Sequence, residues 1–179
     1  MNSRIPHFLE EILSFFPVIS PPVTLSEEVA VKFSSLNKPL PLSVINETFS
    51  RWDSLDELTE LVPCFQMPTE GQYYALIWWK GSLLSYEYIL ATISHDGIII
   101  SKKVIAGTLS DGNKVIRSVA SIDEDMCVYT VAGESDSSIN NYKPNNTTAY
   151  RFEILPDGKI QSTQEDINQW EEKEKEKQT

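Results

Sequence analysis

Cysteine is nearly absent from these 179 residues: Cys64 and Cys127 are the only two, so at most one bridge can form and a disulfide scaffold is excluded. Histidine is as scarce, with His7 and His95 alone. A zinc site needs Cys and His in clusters, and these four residues are scattered. Long apolar runs are missing too, none approaching the roughly 20 residues that a membrane helix requires. The N-terminal stretch puts Glu10 and Glu11 where a signal peptide needs its apolar centre, so it is not read as one. Positive charge is in deficit, with 15 Lys and Arg against 26 Asp and Glu and a formal net charge of -11. That balance argues against nucleic acid, which needs a basic footprint, and against an anionic membrane surface. Gly-rich phosphate loops, Gly-x-Ser-x-Gly elbows and His-Glu-x-x-His pairs do not occur. Asp123, Glu124 and Asp125 lack the spacing and the glycine of a calcium loop. No cofactor and no metal are implied, and the expected setting is a soluble chain in a reducing cytoplasm.

What the chain does have is a central stretch of aromatic and branched residues, Gln72 to Ile105, rich in strand formers. From Tyr73 to Lys80, side chains alternate so that Tyr73, Ala75, Ile77 and Trp79 share one face and Tyr74, Leu76, Trp78 and Lys80 the other. Both faces are apolar, which predicts a strand covered on both sides, by strands on one and by helices on the other. A second strand is expected over Tyr86 to Ser94. Asp96-Gly97 then gives a hairpin turn, and Ile98 to Val104 returns antiparallel. Further strands follow over Lys114 to Ile122, Met126 to Ala132 and Thr148 to Ile154, with a last hairpin across Pro156-Asp157-Gly158. Glu134 to Asn146 reads as a polar loop.

The N-terminal part reads as helical. Pro6 opens a helix that carries Phe8, Leu9, Ile12, Leu13 and Phe16 at helical spacing, a lid for the sheet. Leu25, Val29, Phe33 and Leu36 fit a helix capped by Ser26, while Val29, Val31 and Phe33 fit a strand; the helix is favoured. Ser43 is read as the cap of a helix bearing Ile45, Phe49 and Trp52. Ser54 with Glu57 is a capping-box pattern for a short helix holding Leu55, Leu58 and Leu61, stopped by Pro63. The expected fold class is α+β, short helices of residues 1–62 packed on an antiparallel meander of about six strands over 72–161. Residues 1–162 form a single domain, and 163–179 a charged, frayed tail.

Candidates for chemistry are few. Adjacent Ser94, His95 and Asp96 are not a triad, because neighbouring side chains of an extended chain diverge. An enzyme built on Cys64 or His95 is the least favoured reading. Aromatic residues carry the stronger signal, with Trp78, Trp79, Tyr74, Tyr86 and Tyr88 as candidates for a partner surface or a ligand pocket. Residues 1–71 hold 10 of the acids and only 4 of the bases, so Glu47, Asp53, Asp56, Glu57 and Glu60 would form a negative patch if they face outward. The leading expectation is a non-enzymatic interaction protein that binds another, basic protein, as small acidic immunity proteins and inhibitors do. The alternative is a small-ligand domain with an aromatic pocket.

Overall fold

Alternation over the central stretch produces the strands it predicts. The computed structural model describes residues 6–136 and 147–166. Its elements are α1 (His7–Leu13), β1 (Val23–Leu25), α2 (Glu27–Leu36), α3 (Leu42–Val44), a π-helical turn (Ile45–Phe49) and α4 (Ser50–Trp52). The strands β2 (Glu60–Met67), β3 (Tyr74–Gly81), β4 (Ser85–Ile93) and β5 (Ile99–Ser110) follow. Then come β6 (Lys114–Ile122), β7 (Val128–Asp136), β8 (Thr147–Ile154) and β9 (Ile160–Glu165). Together they make the expected α+β architecture, with a single antiparallel sheet of 9 strands where about six were expected. The order from β2 to β9 is a meander, and β1 joins it on β6.

The sheet divides at β5. That strand pairs with β4 along its length but with β6 only through Gly107–Ser110. The stretch of β6 left open, Ala120–Ile122, pairs with β1 instead. Gly107 has φ 150, and a Cβ there would lie 2.2 Å from the Tyr86 carbonyl oxygen, so only glycine fits the point of divergence. Past it the two halves face each other. Thr130 Oγ1 donates to Ile105 O at 2.6 Å, and the Ile160 amide to Ser101 Oγ at 3.1 Å. Between them lies one core, where Ala75, Ile77, Tyr88 and Leu90 meet Ala120, Ile122, Val128 and Phe152.

A second core covers the other side of β3 and β4. There Leu9, Ile12 and Phe16 of the first helical segment and Val44, Phe49 and Trp52 of the later one bury Leu76, Trp78, Ile89 and Ile93. Phe49 meets Trp78 edge-on, with ring centroids 5.4 Å apart. The Trp52 indole N–H donates to Gly97 O at 3.1 Å and ties this roof to the β4–β5 turn. Strands β3 and β4 are therefore buried on both faces, by strands on one and helices on the other. Helix α2 is not part of the roof. It closes the side of the inter-sheet core, with Phe33 on Phe65 and Asn37 Nδ2 donating to Pro63 O and Cys64 O at 2.7 Å each.

Several local expectations are corrected. Residues 54–61 form no helix, because the Asp56 carboxylate accepts from the Leu58 amide at 2.9 Å and from Thr59 Oγ1 at 2.8 Å, closing a turn instead. Pro63 does not stop a helix but lies inside β2, at a register shift on an edge of the meander where a missing N–H is tolerated. Ser43 caps nothing; the helix begins at Leu42, behind Pro41. Glu134–Asp136, expected at the start of the polar loop, instead extend β7 in pairing with β6; the rest of that loop, residues 137–146, and all of the tail beyond 166 lie outside the described residues, while β9 runs on to Glu165, into the expected tail.

Candidate functional site

A β-turn that carries two leucines is unusual for a water-facing loop, and it lies between β3 and β4. The Ser82 amide donates to Ser85 O at 2.7 Å, and the Ser110 amide to Leu84 O at 2.9 Å, so the turn is fixed to itself and to β5. Its tip presents Leu83, 77% exposed, and Leu84, 58% exposed. Beside it the Asp56 turn presents Leu58, 61% exposed. Below them the Trp79 indole folds back over Gly81, where a Cβ would come within 2.5 Å of the ring. Trp79 stacks on Tyr86, with centroids 6.1 Å apart and planes at 26°. The groove so formed has a volume of about 650 Å³, and Glu27 and Glu60 stand on its rim.

Glu27 and Glu60 give the groove an acidic rim over an apolar floor, and Arg117 is the cation whose charge reaches the Tyr86 hydroxyl. The Tyr86 hydroxyl accepts from Thr108 Oγ1 at 2.9 Å. Burial, reinforced by the nearby Glu27 carboxylate, pushes the Tyr86 phenol above its ordinary 10.0. It stays neutral and serves as a packing surface with a fixed hydroxyl. What the groove can do is bury apolar side chains on a rigid aromatic pair and complement a positive charge at its rim.

The sequence candidates separate clearly. Trp79, Tyr86 and Glu60 come together in the groove, and Asp56 and Glu57 lie in the turn that presents Leu58. Trp78 and Tyr88 are fully buried, and the Tyr88 hydroxyl donates to Ser26 O at 2.7 Å, so both belong to the cores. Tyr74 packs against His95, with ring centroids 5.4 Å apart. Glu47 borders a separate hollow beside Phe8, Arg51 and Asp96. Asp53 turns inward onto Lys80 and Lys102 at 3.2 and 3.0 Å and adds no outward negative charge. Cys64 is fully buried, its thiol 3.6 Å from Val62 O, and burial pushes its pKa well above the ordinary 9.0. Neither it nor His95 lines the groove. Among the described residues no three His, Cys, Asp or Glu gather to hold a metal, and no helix is long and apolar enough to cross a membrane.

Leu58, Leu83, Leu84 and Glu27 were not among the binding candidates read from the sequence. The signal was there in Gly81-Ser82-Leu83-Leu84-Ser85, an apolar pair inside a turn that has no core to fill. No protein family, curated protein or solved structure matches the chain.

Proposed function

We propose that this chain is a non-enzymatic binding domain that takes a basic, apolar-anchored segment of another protein into the groove between the β3–β4 turn and the start of β2. The observation that carries the reading is the display of Leu58, Leu83 and Leu84 around the stacked Trp79 and Tyr86, rimmed by Glu27 and Glu60. Exposed leucines on rigid turns cost solvation in the free protein and are relieved by a partner. Glutamates on the rim give that partner its sign and speed its arrival. Neutralising such a partner, as an inhibitor or immunity protein does, is the form of this function that the formal charge of -11 favours.

A photo-crosslinking residue in place of Leu84, introduced in the native host, tests the reading. It is expected to trap a protein whose contacting segment combines Lys or Arg with large apolar residues. With that partner purified, Leu83→Ser should raise Kd by about tenfold, as loss of an apolar anchor does. Glu27→Gln with Glu60→Gln should weaken binding at low salt and lose its effect at high salt. A partner whose affinity is indifferent both to Leu83→Ser and to salt would sink the proposal.

A further inference from the structure

At the opposite end of the two sheet layers, the β2–β3 connection and the β6–β7 and β8–β9 turns surround a second hollow of about 480 Å³. Its walls are apolar and polarisable, formed by Met67, Met126, Tyr73 and Ile154, and Met67 is only 3% exposed. Around them stand Glu70, Asp125 and Glu153, and among the described residues no Lys, Arg or His lines the hollow. Arg151 pairs with Glu153 at 2.8 Å, and Lys159 with Asp157 at 2.8 Å. Among the described residues, Glu70 and Asp125 are paired with no base. We infer that this hollow binds an alkylammonium, its methylene chain against the two thioethers and the tyrosine and its charged end between Glu70 and Asp125.

The chemistry selects that class. Thioether and aromatic walls accept methylenes and the flank of a cation, and unpaired carboxylates repel any anion. Both carboxylates are exposed at the mouth of the hollow, where they draw a cation and give a neutral ligand no charge to meet. Tyr73 supports the cation without adding charge, since burial and then Asp157 push its phenol above the ordinary 10.0. The walls are also set in advance. Asp123 Oδ1 accepts from the Asp125 and Cys127 amides at 3.0 and 2.9 Å, holding Met126 at φ 64 between them. The Tyr73 ring is seated on Gly158, where a Cβ would lie 3.1 Å from Cδ1. Little ordering cost is left for a ligand to meet. This site is separate from the leucine groove and stands whether or not that groove binds a protein.

The test is a titration of the full chain, labelled on its methionine methyls, with cadaverine, with pentanediol and with Nα-acetyl-lysine amide. Cadaverine is expected to shift the Met67 and Met126 signals saturably, and pentanediol to leave them in place. Glu70→Gln with Asp125→Asn should raise the cadaverine Kd about tenfold, with the ligand-free methyl positions reporting that the fold is kept. Tighter binding of the capped lysine than of cadaverine assigns the ammonium to a protein side chain; the reverse order assigns it to a free amine. Absence of a saturable shift, an equal response to pentanediol, or an unchanged Kd in the double variant would overturn the inference.

Discussion

The Asp53 carboxylate, with its side chain 10% exposed, receives the Lys102 ammonium at 3.0 Å and that of Lys80 at 3.2 Å. The same two ammoniums donate to Trp52 O and Ser54 O at 2.8 Å each, so this one residue sews the end of the helical roof to β3 and β5. Burial raises its pKa, and the hydrogen bonds and charges of Lys102 and Lys80 outweigh that, leaving it below the ordinary 3.8. A carboxyl depressed in the folded state stabilises the fold above the unfolded value, and that contribution fades as pH falls through the lower, folded one. Asp53→Asn should therefore cost about 2 kcal/mol in urea denaturation near neutral pH, a part-exposed version of breaking a buried pair. The cost should shrink well below pH 3.8. An equal cost at both ends of the range would mean that the charge is not what holds the roof. Thiol chemistry offers a second check at this scale. Burial keeps Cys64 protonated, and Cys127 is raised by burial and by Asp123 and Glu153. Neither should react with a thiol reagent faster than a free thiol does, and Cys64 should wait for unfolding; rapid labelling of Cys64 in the native protein would revive it as a nucleophile.

Among the elements, β3 and β4 were legible because a two-sided apolar run with tyrosines and tryptophans suits nothing so well as a covered strand. The Asp-Gly turns at Asp96 and Asp157 were legible for a local reason: each places glycine at positive φ. Strand β2 was not, because Leu55, Leu58 and Leu61 mimic helical spacing and Pro63 mimics a stop. What decides its state is pairing with β3, from Glu60 opposite Gly81 to Met67 opposite Ala75, and no local window contains that partner. Half of the groove was visible for the same reason. Trp79 and Tyr86 sit on strands whose alternation can be read, while Leu83 and Leu84 sit on a turn, where apolar residues carry no period. The glycine at the division of the sheet also escaped notice, and it can be tested. Gly107→Ala would drive a methyl to within 2.2 Å of the Tyr86 carbonyl oxygen at φ 150, in neighbouring backbone that cannot yield as a side chain can. A loss of about 3 kcal/mol or more is expected in thermal or denaturant unfolding. A loss under about 1 kcal/mol, typical of an unstrained site, would show that the bend is held elsewhere.

For the molecule as a whole, the decisive feature is that two cores share a wall. Leu76 and Ile77 are consecutive on β3 and both fully buried, yet Leu76 faces the helical roof and Ile77 the opposing strands. The roof has no sheet of its own, and the strands β3 and β4 would expose an apolar face without it. Unfolding of one core therefore strips a wall from the other, and the shared wall is expected to make both cores go together. Leu76→Ala and Ile77→Ala should each cost about 2 to 5 kcal/mol, the range for a buried large-to-small change. More to the point, each should move a single midpoint. With Trp79 and Trp170 replaced by Phe, tryptophan fluorescence watches the roof through Trp52 and Trp78, and far-ultraviolet dichroism watches the sheet. The two signals should fall together in both variants. If Leu76→Ala moved the fluorescence transition and left the dichroism where it was, the roof would be a separable layer, free to open without the sheet. The groove would then lose its Leu58 wall as well, since Leu58 is presented by the same segment that Asp53 pins to β3 and β5.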